Sequence, residues 1–231
     1  MAEHLHEGHR QRMRERFLRE GFANMQEHEV LEMLLFYAIP RVNTNELAHR
    51  LIDTFGSLYG VLTAEPAALR QVKGVTENAA VLLQMIPALY PMCMTDSAAA
   101  VRLPHFDACC EYFRKLYLFD TKEVLRMACV DDKLLLTHCV TLQEGDCSHI
   151  DASLAEIVRH CMQRQCSSVI LAHNHPCGSA HPSARDLAAT HALHEKLEQL
   201  HIDLLDHIIV GQDETLSMRK LGVYHFHKIY R

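Results

Sequence analysis

The chain has 231 residues, of which 48% are hydrophobic and 23% charged, a composition typical of one large or two small globular domains. Its formal net charge is −6, from 23 Lys and Arg against 29 Asp and Glu, which argues against a protein that coats nucleic acid electrostatically. No segment approaches the roughly 18 apolar residues that a membrane-spanning helix needs.

The first 90 residues predict a small all-α domain. Helices are predicted over residues 10–19, 27–37, 66–71 and 76–90, with another that begins near Thr44 and ends at Gly56. Apolar residues recur at helical spacing in these segments, and Thr44 and Gly56 are typical residues for the two ends of a helix. Prolines and small residues then predict a linker over residues 91–104.

Residues 105–231 predict a second domain in which strands and helices alternate. Helices are predicted over residues 105–118, 153–165 and 187–200, and strands over 123–130, 134–140, 168–172, 202–210 and 215–218. Short apolar runs bounded by turn residues favour strands. This alternation indicates an α/β (α+β) domain.

The cysteines indicate a cellular compartment. The chain contains nine of them, an odd number without any Cys-x-x-Cys pair, and its first residues lack the apolar segment of a secretion signal. We therefore expect reduced thiols in a cytoplasmic protein.

The clearest chemical pattern begins where a predicted strand ends. His173 and His175 lie two residues apart, so their side chains share one face in extended backbone. A loop with proline and glycine follows, and a helix begins near Ser183 with Asp186 in its first turn. Two imidazoles and one carboxylate leave a fourth tetrahedral position for water, as in catalytic zinc sites.

Each half of this pattern also has a purely structural interpretation. Ser183 and Asp186 match a Ser-x-x-acid capping box, which only begins a helix. Asn174, His175 and Pro176 are compatible with an ordinary turn. The conjunction of both halves around a Gly/Pro loop favours a metal site.

The pattern His-x-His-x7-Ser-x-x-Asp resembles the signature of the JAMM metalloproteases. The local form His-Asn-His-Pro-x-Gly and the later segment Leu-Asp-His-Ile-Ile-Val-Gly at 205–211 resemble the bacterial RadC branch of that family. The resemblance implies a JAB/MPN-type mixed sheet flanked by helices over residues 105–231. It also implies that His173, His175 and Asp186 bind Zn²⁺ and that Ser183 helps to stabilise an oxyanion.

JAMM enzymes also use a glutamate on an earlier strand as general acid and base. The resemblance assigns this role to Glu123, which opens the predicted strand over residues 123–130. A carboxylate there takes a proton from water activated by the metal and passes it to the leaving amine. Glu144 and Glu156 are the alternatives, and a solvated charge at the end of a strand is the structural interpretation of Glu123.

Three more side chains lie near the predicted site in the sequence. Cys177 occupies a position where the family usually has serine, and we expect a tolerated substitution rather than an additional metal ligand. His207 is expected to be structural rather than a support for the site. His181 lies in the same loop, and no pattern specifies its position.

Residues 69–80 resemble a helix-hairpin-helix element, with Gly74 at the turn and Lys73 beside it. Backbone N–H groups at the start of the next helix can bind a phosphate oxygen. Glu77 would repel phosphate, and a purely structural helical hairpin fits equally well. Any DNA contact at Lys73 and Gly74 is therefore expected to be weak, non-specific and strongly dependent on salt.

Three functions follow from these patterns. The favoured one is a zinc metallopeptidase that cleaves a peptide or isopeptide bond in a protein or peptide substrate. The second is a DNA-associated repair protein of the RadC kind, which binds DNA through the helical domain. The third is a catalytically silent scaffold stabilised by zinc.

Overall fold

The computed structural model describes residues 2–96, 101–145 and 150–223. The chain divides into two compact units, Met1–Tyr90 and Pro91–Arg231. Among the described residues, no helix combines the length and the apolar character needed to cross a lipid bilayer.

In the part of the first unit that the structure describes, all regular secondary structure is helical. The helices are α1 (Ala2–Glu20), α2 (Glu27–Ala38), α3 (Asn45–Phe55), α4 (Leu58–Thr63), α5 (Pro66–Gln71) and α6 (Glu77–Asp96), the last of which continues into the second unit. Only α4 lies outside the predicted helices. Its six residues are too few to show a helical period, and it begins where Ser57 Oγ accepts a hydrogen bond from Gly60 N at 3.0 Å.

The predicted linker over residues 91–104 is largely ordered structure. Helix α6 continues to Asp96, and residues 97–100 lie outside the described part of the chain. Arg102 then forms an isolated β-bridge with Leu135, and Leu103 is fully buried in the core. Prolines and small residues identify an interruption in a pattern, but contacts with residues 30 positions away leave no local signal.

The second unit is organised around a mixed sheet. Its elements are α7 (Phe106–Leu116), β1 (Val124–Val130), β2 (Leu136–Glu144), α8 (Ile150–Arg164), β3 (Ser168–Asn174), α9 (Ala184–Gln199), β4 (Asp203–Val210) and β5 (Thr215–Ser217). The strand order is β2-β1-β3-β4-β5, with β3 and β4 parallel and the other neighbours antiparallel. These elements confirm the predicted α/β class, with a mixed sheet flanked by helices after a helical N-terminal part.

Helices cover both faces of this sheet. Alternate residues of β1 and β3 form one core with α7, whereas the intervening residues form a second core with α8 and α9. Both central strands are consequently buried along their whole length. Leu171 belongs to the second core, so His173, two residues later, lies on the face that α8 and α9 cover.

Candidate metal centre

Three side chains converge where β3 ends and α9 begins. His173 lies near the end of β3, His175 follows the strand, and Asp186 is in the first turn of α9. Nε2 of His173 lies 2.9 Å from Nε2 of His175 and 3.4 Å from Oδ1 of Asp186. Nε2 of His175 lies 3.7 Å from Oδ2 of Asp186. The structure therefore brings the three predicted metal ligands together.

The spacing and chemistry of these atoms fit Zn²⁺. Ligand atoms about 2.0–2.2 Å from a tetrahedral zinc ion lie roughly 3.4 Å from one another, and the separations here are 2.9, 3.4 and 3.7 Å. Imidazole nitrogen and carboxylate oxygen are ordinary zinc ligands. Three protein ligands are also the number typical of catalytic rather than structural zinc sites.

A backbone carbonyl orients the His175 ring. Its Nδ1 lies 2.7 Å from the carbonyl oxygen of Ser179, and because a carbonyl only accepts hydrogen bonds, Nδ1 carries the proton. In the neutral ring the lone pair is then on Nε2, which faces His173 and Asp186. Local backbone geometry therefore prepares His175 as a ligand through Nε2.

Asp186 uses its two oxygen atoms differently. Oδ2 accepts hydrogen bonds from Ser183 N at 2.7 Å and Ser183 Oγ at 2.6 Å, while Oδ1 faces His173. Ser183 Oγ in turn accepts from Asp186 N at 3.1 Å, which completes a capping box. Partial burial opposes ionisation, but the neighbouring His173 ring and the hydrogen bonds from Ser183 hold the pKa of Asp186 well below its usual range. One carboxylate thus both begins α9 and brings a negative charge to the site.

Glu123 immediately precedes β1, the strand that pairs with β3. Leu125, two residues after Glu123, pairs with His173 across the two strands. Because side chains alternate along a strand and directly paired residues point to the same side of a sheet, we expect Glu123 to share the face of His173. The side chain of Glu123 is half-buried.

The side chain of Asn174 holds the backbone on both sides of Glu123. Its Nδ2 donates to the carbonyl of Lys122 at 2.9 Å, and its Oδ1 accepts from Val124 N at 2.7 Å. Asn174 lies between the two ligand histidines in sequence. It therefore ties the start of β1 directly to the end of β3 that carries the candidate metal ligands.

The two alternative glutamates lie in less suitable positions. Glu144 pairs with Val124 across β1 and β2, and Val124 belongs to the core under α7, so Glu144 is on the opposite face from His173. Glu156 on α8 pairs with Arg159, and this hydrogen bond lowers the pKa of Glu156. Glu123 as base and Ser183 as oxyanion donor stay predictions.

His207 differs from the structural role expected from sequence, because it contacts a ligand directly. Its Nε2 lies 2.9 Å from Nδ1 of His173, and its Nδ1 lies 2.6 Å from Oγ1 of Thr190. Burial disfavours the charged ring and lowers the pKa of His207 well below its usual value. The pairing was hidden in the sequence because 34 positions separate the two histidines.

The remaining loop residues lie around the ligands. His181 is mostly exposed, with Nδ1 3.3 Å from Glu214 Oε1 and 3.1 Å from Ser179 Oγ. Cys177 is exposed in the same loop. Among the described residues, neither side chain belongs to the ligand group of His173, His175 and Asp186.

Lys73 and Gly74 lie in the turn between α5 and α6. Gly74 has a φ of 100°, in the left-handed region that favours glycine, and Lys73 is exposed. Thr76 immediately precedes α6, and its Oγ1 accepts a hydrogen bond from Ala79 N at 3.2 Å. The segment is a turn between two helices, and both its helix-hairpin-helix character and its contact with DNA stay predictions.

Comparisons with known proteins identify the family. Residues 103–223 match the family model described as RadC-like JAB domain, and residues 6–81 match the model described as UPF0758 N-terminal. A UPF0758 protein of Rhodobacter capsulatus is 34% identical over 213 residues, which cover 91% of this chain and 99% of that protein. A UPF0758 protein of Ruegeria pomeroyi is 33% identical over 215 residues, with 93% and 96% covered. The chain therefore belongs to the RadC (UPF0758) family, whose second unit is a JAB-type domain.

Proposed function

We propose that the chain is a zinc-dependent metallohydrolase of the JAMM type that cleaves a peptide or isopeptide bond. The observation that carries this proposal is the convergence of His173, His175 and Asp186, whose ligand atoms lie 2.9–3.7 Å apart. The JAB-type domain supports it, because the JAMM signature places the same residue types at the same spacing.

The proposed chemistry divides among the metal and two side chains. Zn²⁺, when bound, polarises the scissile carbonyl and lowers the pKa of coordinated water towards about 7. Glu123 lies on the same sheet face and takes the proton of the attacking water, then returns it to the leaving amine. Ser183 Oγ donates to the developing oxyanion. The structure shows this hydroxyl donating to Asp186 Oδ2, so the proposed role requires it to turn towards the oxyanion.

The substitution Glu123→Gln tests this function. We expect about one zinc per wild-type chain, and a variant that keeps its zinc but loses hydrolysis by roughly 10²–10⁴-fold, because the proton acceptor is gone. Metal analysis and hydrolysis of fluorogenic peptides and lysine-linked isopeptides measure the two quantities. Glu144→Gln is the matched control, since Glu144 lies at a neighbouring strand end on the other face.

Three outcomes would contradict the proposal in different ways. Full hydrolysis by Glu123→Gln would remove Glu123 as the base. Wild-type chain that binds no zinc after purification without chelators would remove the metal site. Zinc binding without cleavage of either substrate class would favour the catalytically silent scaffold.

DNA binding through the helical unit is the second candidate function. The observation in its favour is exposed Lys73 next to Gly74 in the turn that precedes α6. The arginines of α1 contribute less positive charge to a DNA-binding surface than their number suggests, because two of them are engaged within the unit. Arg10 donates to the carbonyls of Ile39 and Val42, and Arg16 pairs with Glu29. We infer at most a weak, non-specific contact with the phosphate backbone.

We also propose that the protein acts in the cytoplasm. Eight cysteines of the described residues are free thiols, the state expected in a reducing compartment. Cys177 is one of the exposed thiols, and an oxidising compartment would favour its oxidation.

A further inference from the structure

Four buried groups form a continuous line that ends at a zinc ligand. The sulfur of Met218 lies 3.7 Å from Thr190 Oγ1, which lies 2.6 Å from His207 Nδ1. Nε2 of His207 then lies 2.9 Å from Nδ1 of His173. The line joins the end of β5, helix α9, β4 and β3. Thr190 is 1% exposed and Met218 is fully buried, so solvent does not replace these contacts.

The chemistry of the first group gives the line a direction. A thioether sulfur has no proton and only accepts, so the Thr190 hydroxyl donates to Met218. Thr190 Oγ1 then accepts from the N–H at Nδ1 of His207, which leaves the His207 lone pair on Nε2. That lone pair accepts from Nδ1 of His173. His173 is thereby left with an unprotonated Nε2, the atom that faces His175 and Asp186.

We propose that Thr190 and His207 are positioning residues that hold His173 as the Nδ1–H tautomer and so present its Nε2 lone pair to zinc. This inference rests on the proposed zinc site and extends it beyond the three ligands. His175 reaches the same state through the Ser179 carbonyl. The protonated nitrogen of each imidazole is therefore set in a different way. A carbonyl in the adjacent loop sets it for His175, and a line of side chains from three distant elements sets it for His173.

Packing alone does not account for these polar groups. The neighbouring positions on the same face, Leu204 and Ile209 on β4 and Leu193 on α9, are apolar and belong to the core. A buried hydroxyl or imidazole without a partner costs free energy. In this line, each polar group has the next as its hydrogen-bond partner, and the last hydrogen bond orients the ring of His173. A hydrogen bond to the ring nitrogen that does not bind the metal sets the tautomer of a metal-binding histidine.

Two substitutions of Thr190 test the proposal. Thr190→Val keeps the shape but removes the hydroxyl, so we expect zinc affinity to fall about 10–100-fold. Thr190→Ser loses the methyl group but keeps the hydroxyl, and we expect an affinity within about threefold of wild type, since the hydrogen bond is what matters. Competition with a chromophoric chelator measures the affinity of the full chain, and circular dichroism checks that each variant folds.

The two variants distinguish positioning from packing. Unchanged zinc affinity in folded Thr190→Val would overturn the proposal, as would an equal loss in Thr190→Ser, because that pattern reports volume rather than hydrogen bonding. Nitrogen-15 NMR of the zinc-free wild-type chain gives a readout without any variant. A proton on Nδ1 of His173 supports the inference, and a proton on Nε2 overturns it. Failure of the wild-type chain to bind zinc would instead refute the proposed function, and the NMR result still decides the tautomer.

Discussion

At the scale of single residues, Ser183 and Asp186 perform structural and chemical tasks with the same atoms. Ser183 Oγ caps α9 through Asp186 N and also donates to Asp186 Oδ2. The carboxylate accepts that hydrogen bond with one oxygen and faces His173 with the other. The capping box and the metal site are therefore one arrangement, in which the start of the helix orients the ligand.

Substitution of Ser183 separates these tasks. Ser183→Ala removes the cap and is expected to lower the free energy of unfolding by about 1 kcal/mol. If its hydroxyl also donates to the oxyanion, kcat of the zinc-loaded variant falls roughly 10²–10³-fold, far beyond the stability effect. Thermal unfolding and peptide hydrolysis measure the two effects. Ser183→Thr keeps the hydroxyl as a control, and an unchanged kcat in Ser183→Ala would limit Ser183 to capping.

At the scale of elements, the loop between β3 and α9 depends on a close contact with the chain after β4. A Cβ atom on Gly211 would lie 2.4 Å from Ala180 N and 2.9 Å from the carbonyl oxygen of Gly178. The same loop provides the Ser179 carbonyl that orients His175, and Gln212 N donates to the Gly178 carbonyl at 3.0 Å. Only glycine at position 211 allows the two backbones to approach this closely.

Gly211→Ala is therefore expected to disturb the site from outside it. The added methyl group meets backbone atoms that cannot rotate away, so we expect a loss of about 1–3 kcal/mol in the free energy of unfolding. Zinc affinity should also fall, since the loop carrying Ser179 must shift. Calorimetry and chelator competition measure both. The control is Gly178→Ala in the same loop, whose Cβ would meet only His175 Cβ at 3.4 Å; equal behaviour of the two variants would refute the argument.

At the scale of the whole molecule, charge and the two units limit the possible partners. The net charge of −6 repels the DNA backbone over the molecule as a whole. The helical unit still exposes Lys73 in the turn between α5 and α6. Long-range repulsion set against the local positive charge near Lys73 favours only binding that is weak and sensitive to salt.

Titration of DNA with the full chain tests this balance. We expect a dissociation constant of roughly 10⁻⁴–10⁻⁶ M for duplex DNA near physiological salt, with affinity falling as salt rises. Lys73→Glu should weaken binding further, whereas Lys133→Glu, an exposed lysine in the turn between β1 and β2, should have a smaller effect. Fluorescence anisotropy measures the affinity. Tight binding that persists at high salt would contradict the prediction that the net charge of −6 keeps DNA binding weak.

Much of the fold was predictable because its signals are local. The helical periods of α2 and α3 and the apolar runs of β1, β3 and β4 lie within short windows. Helix α5 is short, but Pro66 at its first position is a local signal. Helix α4 has no such proline, and its six residues do not complete two turns. Prolines near residue 91 mark only a change of pattern, so α6 extends to Asp96 within the predicted linker. The observed boundaries of the elements therefore differ from the predicted ones, whereas the observed fold class is the predicted one.

The sequence by itself predicts the metal ligands, since His173 and His175 share one face of a strand end and Asp186 lies in the first turn of the next helix. The tertiary structure decided the contacts that support them. Glu123 is brought towards the site only by the register of β1 on β3, which pairs Leu125 with His173, and His207 meets His173 only because β3 and β4 are parallel neighbours. Strand pairing brings together residues that are 34 and 52 positions apart, and no local pattern records such pairing.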